Sequence, residues 1–260
     1  MTQKYPSNYQ VVIFQPHNDD AVIAIGGIMR KLIHSGWHIH YVYITDSRFG
    51  GNEFPELVAA TRNREAARER KLLGINTYNE LNYPDLSLSE LSSDERSQAV
   101  SQISHLLDQV APSVVFIPTR ADLHPDHREV HDLVLEALQQ TAVSPLLAKY
   151  AVWLFPDFYQ KPSDCATQVI LVGIDKEERY KTSLIRIHTS QIARRRYDLA
   201  TRYLNRYYAR MLKADQKLQV QSAEIIGLFY NEFHYSVKEN LLKSLMPTMD
   251  ITTILHGQNS

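Results

Sequence analysis

The chain has 260 residues, of which 44% are apolar, enough to enclose a substantial core and too many for a disordered polymer. Its formal net charge of −1 excludes a chain-wide electrostatic affinity for nucleic acid or an anionic membrane surface. A single cysteine, Cys165, cannot form an internal disulfide. The first residues lack a signal peptide's apolar core, and no run approaches the ~20 apolar residues that cross a bilayer. The expected setting is therefore cytoplasmic, with neither membrane nor nucleic acid as a partner, and Cys165 reads as an unreactive loop thiol.

Residues 11–14, Val-Val-Ile-Phe, predict a short strand buried on both faces. Pro16, with no N–H to donate, ends it, and His17, Asp19 and Asp20 follow at once. Residues 22–34 predict a helix closed by Gly36, residues 37–45 a second strand, and residues 46–55 a loop containing Gly50-Gly51. A long helix rich in Ala, Arg, Glu and Leu is predicted over 56–73, stopped by Gly74. A weak strand at 78–81 leads to a turn at Pro84-Asp85. Residues 93–110 predict a helix with Ser92 or Ser93 as N-cap and Glu95 close by. Residues 113–117 form the next buried strand, 119–126 a loop, and 128–140 a helix with Val130, Val134, Ala137 and Leu138 on one face.

Beyond that, strands are expected at 150–155 and 167–173, a largely helical basic stretch at 176–213, a strand at 224–233, and a frayed tail from Met246 onward. The alternation of strand and helix predicts an α/β fold, a Rossmann-like, mostly parallel sheet with helices on both faces. No repeat, low-complexity tract or linker interrupts it, so one domain over residues 1–260 is expected.

Two clusters carry the chemistry. His17-Asn-Asp-Asp20 and His124-Pro-Asp-His127 each follow a buried strand, and in a parallel sheet such loops open on the same edge, where ligands bind. Imidazole with carboxylate is the ligand set of a catalytic divalent metal. A serine-hydrolase Gly-x-Ser-x-Gly elbow is absent, and Gly26-Gly27 does not supply the Gly-x-Gly-x-x-Gly of a dinucleotide binder.

These motifs resemble those of the PIG-L/LmbE-like N-acetylglucosaminyl de-N-acetylases. Pro16-His-Asn-Asp-Asp20 with Gly26-Gly27 is similar to the family's Pro-His-x-Asp-Asp…Gly-Gly, and His124-Pro-Asp-His127 to its His-x-Asp-His. Arg62-x-x-Glu65 with Leu73-Gly74, and His188-Thr-Ser-Gln191, resemble two further segments in family order. The resemblance implies a zinc site held by His17, Asp20 and His127, with Fe2+ as the alternative ion. It implies Asp19 as general base toward a metal-bound water, and His124 as donor to the oxyanion and to the leaving amine. It implies Asp126 as the group that orients an imidazole, and Arg62 as a substrate-binding residue able to fork onto sugar hydroxyls or phosphate.

The implied reaction is removal of the N-acetyl group from an amino sugar or its conjugate, a small-molecule substrate, with a homo-oligomer left open. One departure from the family pattern is Ala21, where many members carry Glu. It motivates the alternative of a catalytically silent sugar- or nucleotide-sugar-binding relative. Arg62 has a plainer alternative as part of a solvated helix face, and Glu65, three residues on, is expected to pair with it. His188 belongs either to the site's periphery or to the framework. The run from Arg194 to Lys213, with four interleaved tyrosines, suits a solvated helix face, a phosphorylated or nucleotide-linked sugar, or single-stranded nucleic acid.

Overall fold

The computed structural model describes residues 9–153, 168–215, 220–229, 235–245 and 254–256. Strand β1 (Gln10–Gln15) is the centre of the molecule, and Val11, Val12, Ile13 and Phe14 are fully buried. Its side chains alternate between two apolar layers. Val11 and Ile13 join the layer that holds α1 (Asp20–His34). Val12 and Phe14 join the one filled by α3 (Ser93–Val110) and α4 (Pro125–Gln140). Burial on both faces explains why the strand is a continuous apolar run.

Strand β1 pairs in parallel with β2 (His38–Thr45) on one side and β4 (Val114–Pro118) on the other, Ile13 standing opposite Tyr41 and Phe116. The remaining strands are β3 (Thr77–Tyr83), β5 (Leu146–Tyr150), β6 (Gln168–Gly173), β7 (Ala223–Phe229) and β8 (Ile254–His256). The sheet order is β3-β2-β1-β4-β5-β7-β6-β8. The first five strands are parallel, whereas β7 runs against both β5 and β6, and β8 against β6. The expected mostly parallel α/β architecture is therefore present, with an antiparallel margin. After β1 the chain turns to one side of the sheet, and after β4 to the other. The loops leaving these two neighbours diverge and open a crevice at their C-terminal ends.

Local chemistry sets the element ends. Helix α2 (Pro55–Leu73) begins with Pro and stops at Gly74, whose φ of +77° suits a residue without Cβ. Helix α3 opens with a capping box: Ser92 Oγ accepts from the Glu95 N–H while the Glu95 carboxylate accepts from the Ser92 N–H. Helix α1 is kinked at Ile25 (φ −129°, ψ 25°). The kink presents the N–H groups of Gly27 and Ile28 to Glu224 of β7, at 2.8 and 2.7 Å, and Lys181 Nζ completes the arrangement 2.6 Å from the same carboxylate. Lys181 and Glu224 are both buried, and burial pulls the Lys181 ammonium below its usual pKa against the opposing charge of Glu224.

Two expectations are corrected, the bounds of the fifth strand and the frayed tail; the largely helical 176–213 is borne out, and one further helix is added. The fifth strand is Leu146–Tyr150 rather than 150–155: Ala151 to Trp153 leave the ladder, and residues 154–155 lie outside the described residues. Lys149 disguised this strand, for it is buried with its ammonium 3.7 Å from the centre of the Phe229 ring. The stretch 176–213 is three helices, α5 (Glu178–Ile185), α6 (Thr189–Ile192) and α7 (Tyr197–Asp215). Helix α8 (Tyr235–Leu245) was not anticipated; Leu241 and Leu245 fill the core and Ser244 Oγ accepts from the Trp37 indole N–H. The expected frayed tail contains β8, which pairs with β6. Residues 230–233 and 246–253 and Cys165 lie outside the described residues. No helix among the described residues is long and apolar enough to cross a membrane.

Candidate active site

The crevice between β1 and β4 receives both His/Asp clusters. His17 leaves the end of β1, Asp19 is the N-cap of α1 and Asp20 its first residue; His124 caps α4, with Asp126 and His127 in its first turn. His17 Nδ1 lies 3.2 Å from Asp20 Oδ2, and His127 Nε2 lies 3.3 Å from the same oxygen. Nitrogens of His17, His124 and His127 all fall within 4.8 Å of one another. The sequence-predicted residues His17, Asp19, Asp20, Arg62, His124 and His127 line one cavity of about 280 Å³, and Asp126 backs it through His17.

Two of the three imidazoles, those of His17 and His127, are held from behind by carboxylates. His17 Nε2 lies 3.0 Å from Asp85 Oδ1 and 3.4 Å from Asp126 Oδ2. His127 Nδ1 faces Asp122 Oδ2 at 3.0 Å. Asp85 is itself fixed by the Phe49 N–H, Asp126 by the Leu86 N–H, and Asp122 accepts from the His124 N–H. Asp85 and Asp122 were missed by the sequence reading, although both stand in strand-end loops on the same sheet edge. Asp85 follows β3, and Asp122 precedes His124 by two residues.

Four buried carboxylates, Asp20, Asp85, Asp122 and Asp126, thus surround two imidazoles. For both imidazoles, burial alone would lower the pKa. The charge and hydrogen bonds of the neighbouring carboxylates outweigh it, raising His17 well above its usual range and His127 to about 9. Conversely, burial would raise Asp20, but His127 and His17 hold it well below the carboxylate range, and His17 helps hold Asp85 at about 2. This excess of buried negative charge fits a divalent cation. The donor atoms fit too: ligands at about 2.0–2.1 Å from one tetrahedral ion lie about 3.3 Å apart. His17 Nδ1, Asp20 Oδ2 and His127 Nε2 would hold the ion, each outer imidazole nitrogen being turned to a carboxylate.

Arg62, from α2, is buried, and its guanidinium donates to Asp19 Oδ1 at 2.6 Å and to the Ser47 carbonyl at 3.4 Å. A Cβ on Gly50 would fall 2.0 Å from Arg62 Nη1, so that loop position has room only for glycine. Asp19 makes no other side-chain hydrogen bond among the described residues. His124 Nδ1 accepts from the Asp126 N–H at 3.3 Å, which leaves Nε2 as the protonated nitrogen of the neutral ring. Burial first, and then the charges of His17 and His127, hold His124 below the usual imidazole pKa.

The expected Glu65–Arg62 pair does not form. The Glu65 carboxylate instead accepts from Thr189 Oγ1, the Ser190 N–H and Ser190 Oγ at 2.8, 2.8 and 2.6 Å. One turn further, Glu69 binds His188 Nε2 at 2.8 Å and the Tyr41 hydroxyl at 3.0 Å, so His188 belongs to the framework. This double clasp breaks the late helical stretch at His188 and brings Gln191 to the cavity, where its amide donates to the Gly50 carbonyl. Ala21 is fully buried in the apolar layer and its N–H donates to Gln15 Oε1. The imidazole partners come from Asp85, Asp122 and Asp126 instead. Along α7, Tyr208 is buried, Tyr203 is 62% exposed, and Arg206 and Arg210 are exposed, the arrangement of a solvated helix face.

A parallel α/β sheet with a His/Asp cluster at its switch point defines a protein with a candidate metal centre at the place where such folds act. Residues 12–138, just under half of the chain, match the family model described as PIG-L, GlcNAc-PI de-N-acetylase. It is 27% identical over 220 residues to diacetylchitobiose deacetylase of Thermococcus kodakarensis, 78% of each chain being covered. The fold is similar to that of N,N′-diacetylchitobiose deacetylase from Pyrococcus horikoshii (TM-score 0.67, 24% identity, 85% of this chain and 83% of that one). It is equally similar to that of the 4-carboxy-2-hydroxymuconate hydratase from Pseudomonas putida (TM-score 0.67, 15% identity, 86% and 97%). Fold alone therefore does not select the reaction.

Proposed function

We propose that the chain is a metal-dependent amidohydrolase, acting as a single unit, that removes the N-acetyl group from an amino sugar or an amino-sugar conjugate. The observation that carries this reading is the convergence of His17, Asp20 and His127 on one point of the cavity, with Asp19 and His124 beside them. A divalent ion bound there, zinc or iron(II), supplies Lewis acidity and lowers the pKa of a coordinated water.

The protein's own groups supply the rest. Arg62 fixes Asp19 so that its second oxygen is free to take a proton from the attacking water. The Nε2–H of His124 is the donor for the oxygen of the acetamide carbonyl as charge develops there, and a proton source for the departing amine. Asp85 and Asp126 hold the ring of His17, and Asp122 that of His127, so the two imidazoles keep one orientation through the reaction. Water and amide become acetate and amine. Of the alternatives raised by the sequence, a silent sugar-binding relative gains nothing from Ala21, because both imidazoles have carboxylate partners without it.

The test is acetate release from N-acetylglucosamine, diacetylchitobiose and their conjugates by protein stripped of metal and reloaded with zinc or iron(II). Metal-dependent acetate release is the expected result. Failure with every acetylated amino sugar, in protein shown to hold one ion per chain, would overturn the reading.

A further inference from the structure

His17 meets two sets of donors, one at each nitrogen of its ring. On the Nδ1 side stand Asp20 and His127, the group to which the reaction is assigned above. On the Nε2 side stand two further carboxylates, Asp85 Oδ1 at 3.0 Å and Asp126 Oδ2 at 3.4 Å. One donor atom from each of His17, Asp85 and Asp126 lies within 4.8 Å of the other two, and all three residues are buried. They belong to the segments that follow β1, β3 and β4, so the sheet edge, not a run of sequence, brings them together.

This second group is out of electrostatic balance. Asp85 and Asp126 face one side of a ring that has a single N–H to offer there, and that hydrogen points at one carboxylate at a time. The backbone adds one donor to each, the Phe49 N–H to Asp85 Oδ2 and the Leu86 N–H to Asp126 Oδ2. Asp126 Oδ1 accepts no hydrogen bond among the described residues, although the residue is fully buried. A buried carboxylate oxygen without a donor is costly unless a cation takes the donor's place. Arg62 does not supply that charge, because its guanidinium is committed to Asp19 and to the Ser47 carbonyl.

We propose that the protein binds a second divalent cation, zinc or iron(II), between His17 Nε2, Asp85 and Asp126, so that the ring of His17 bridges two ions. The inference rests on the metal-dependent reading for the first ion only. Imidazole with two carboxylates is a donor set that both metals accept. The distances of 3.0 and 3.4 Å bracket the ~3.3 Å that separates two ligands of one tetrahedral ion. The ion replaces the proton on Nε2, which leaves to solvent, and the ring becomes an imidazolate bonded to one ion through each nitrogen. Asp126 Oδ1 gains the positive partner that no side chain gives it. Asp85 and His17 both line the cavity, which provides a way in and room for water as a further ligand. A whole ring separates the two ions, so they stand further apart than the ~3.5–4 Å pair of a two-metal hydrolase and share no attacking water. Giving up the Nε2 proton has a cost, so the second site fills after the first.

The experiment counts ions. Full-length protein stripped with a chelator is dialysed against rising free zinc, and metal per chain is read by plasma mass spectrometry. The expected result is two successive steps of one ion each. Asp85→Asn and Asp126→Asn keep the shape of each side chain and remove its charge. Both should lose the second step and retain the first, weakened by no more than about 100-fold. Retention of the first step shows that each variant has folded. Cobalt(II) gives an independent readout in the unaltered protein. An imidazolate bridge transmits magnetic coupling, so the second equivalent should change the paramagnetic resonance signal of the first, whereas an ion on the surface would only add its own.

One ion per chain at every zinc concentration would overturn the second site and leave the deacetylase reading standing. A second ion that persists in both variants, or cobalt signals that simply add, would place that ion on the surface and overturn the proposal equally. Two coupled ions in protein that releases no acetate from any acetylated amino sugar would support the second site and overturn the hydrolase.

Discussion

The Arg62 guanidinium donates to the Asp19 carboxylate at 2.6 Å, and both groups are buried at the floor of the cavity. A residue about two turns into α2 thus positions the candidate base at the N-cap of α1, and the two must be considered as one device. Asp19→Asn keeps the size of the side chain and a hydrogen-bonding oxygen but cannot take a proton. Acetate release should fall by about 10²–10⁴-fold with metal content unchanged. Normal turnover in this variant would exclude Asp19 as the base.

Loss of a ligand should look different. Asp20→Ala and His127→Ala each remove an atom from the group of donors that converges on one point, so both should lose the ion altogether, measured as metal per chain by plasma mass spectrometry. Asp122→Asn leaves all three donors but weakens the hold on His127, and should lower metal affinity by about 10–100-fold in a competition titration with a chelator. Unchanged affinity would mean that Asp122 serves only to fix the loop before α4.

Glu65 makes three hydrogen bonds to Thr189 and Ser190 from a buried position. Glu65→Leu should cost about 1–3 kcal/mol in denaturant unfolding, since it leaves the donors at the start of α6 without their acceptor. A Glu65→Leu protein as stable as the parent would refute the clasp.

His188 gives a pH signature. Burial lowers its pKa, but the hydrogen bond and charge of Glu69 outweigh that and raise it above the ordinary 6.5. A folded-state pKa raised above the unfolded one adds stability that is complete below about pH 6.5 and disappears as pH rises through the folded value. The melting-temperature gap between the parent and His188→Gln should therefore narrow from pH 6 toward pH 9. A gap independent of pH would show that Glu69 does not raise the pKa of this ring above its unfolded value.

The kink in α1 predicts an asymmetry. Lys181→Met still leaves Glu224 with the N–H groups of Gly27 and Ile28, whereas Glu224→Leu strips both of these and leaves a buried ammonium with only the Ala24 carbonyl. Breaking a buried pair from that side costs about 3–5 kcal/mol. Thermal unfolding should rank Glu224→Leu as clearly the more damaging, and equal losses would contradict the capping role of Glu224.

What the sequence made legible follows from local rules. β1 was visible because burial on both faces writes a four-residue apolar run, and α3 because Ser92 and Glu95 form a box of fixed spacing. The two metal-type clusters were visible because imidazoles and carboxylates followed buried strands. β5 was not, because a cation–aromatic contact with Phe229, about eighty residues away in sequence, lets Lys149 sit inside. The breaks at His188 and the true partner of Glu65 were hidden for the same reason: each is decided by a side chain more than a hundred residues distant. Ile254 to His256 looked like a tail because a three-residue strand carries almost no pattern until β6 is beside it.

The family match ends at residue 138, while Trp153, Gln191, Arg194 and Arg195 all come from beyond it and reach the same cavity. The two portions of the chain therefore share the cavity: the first brings the His/Asp cluster and Arg62, and the second brings Trp153, Gln191, Arg194 and Arg195 to its wall. Glu65 and Glu69 are the only carboxylates of α2 seen spanning the two among the described residues, which makes that helix a spacer with a fixed length. Because the donors of the clasp lie on the far portion and the His/Asp cluster on the near one, a change at Thr189 or Ser190 can shift the cavity wall while the cluster stays in place, so the two can vary independently.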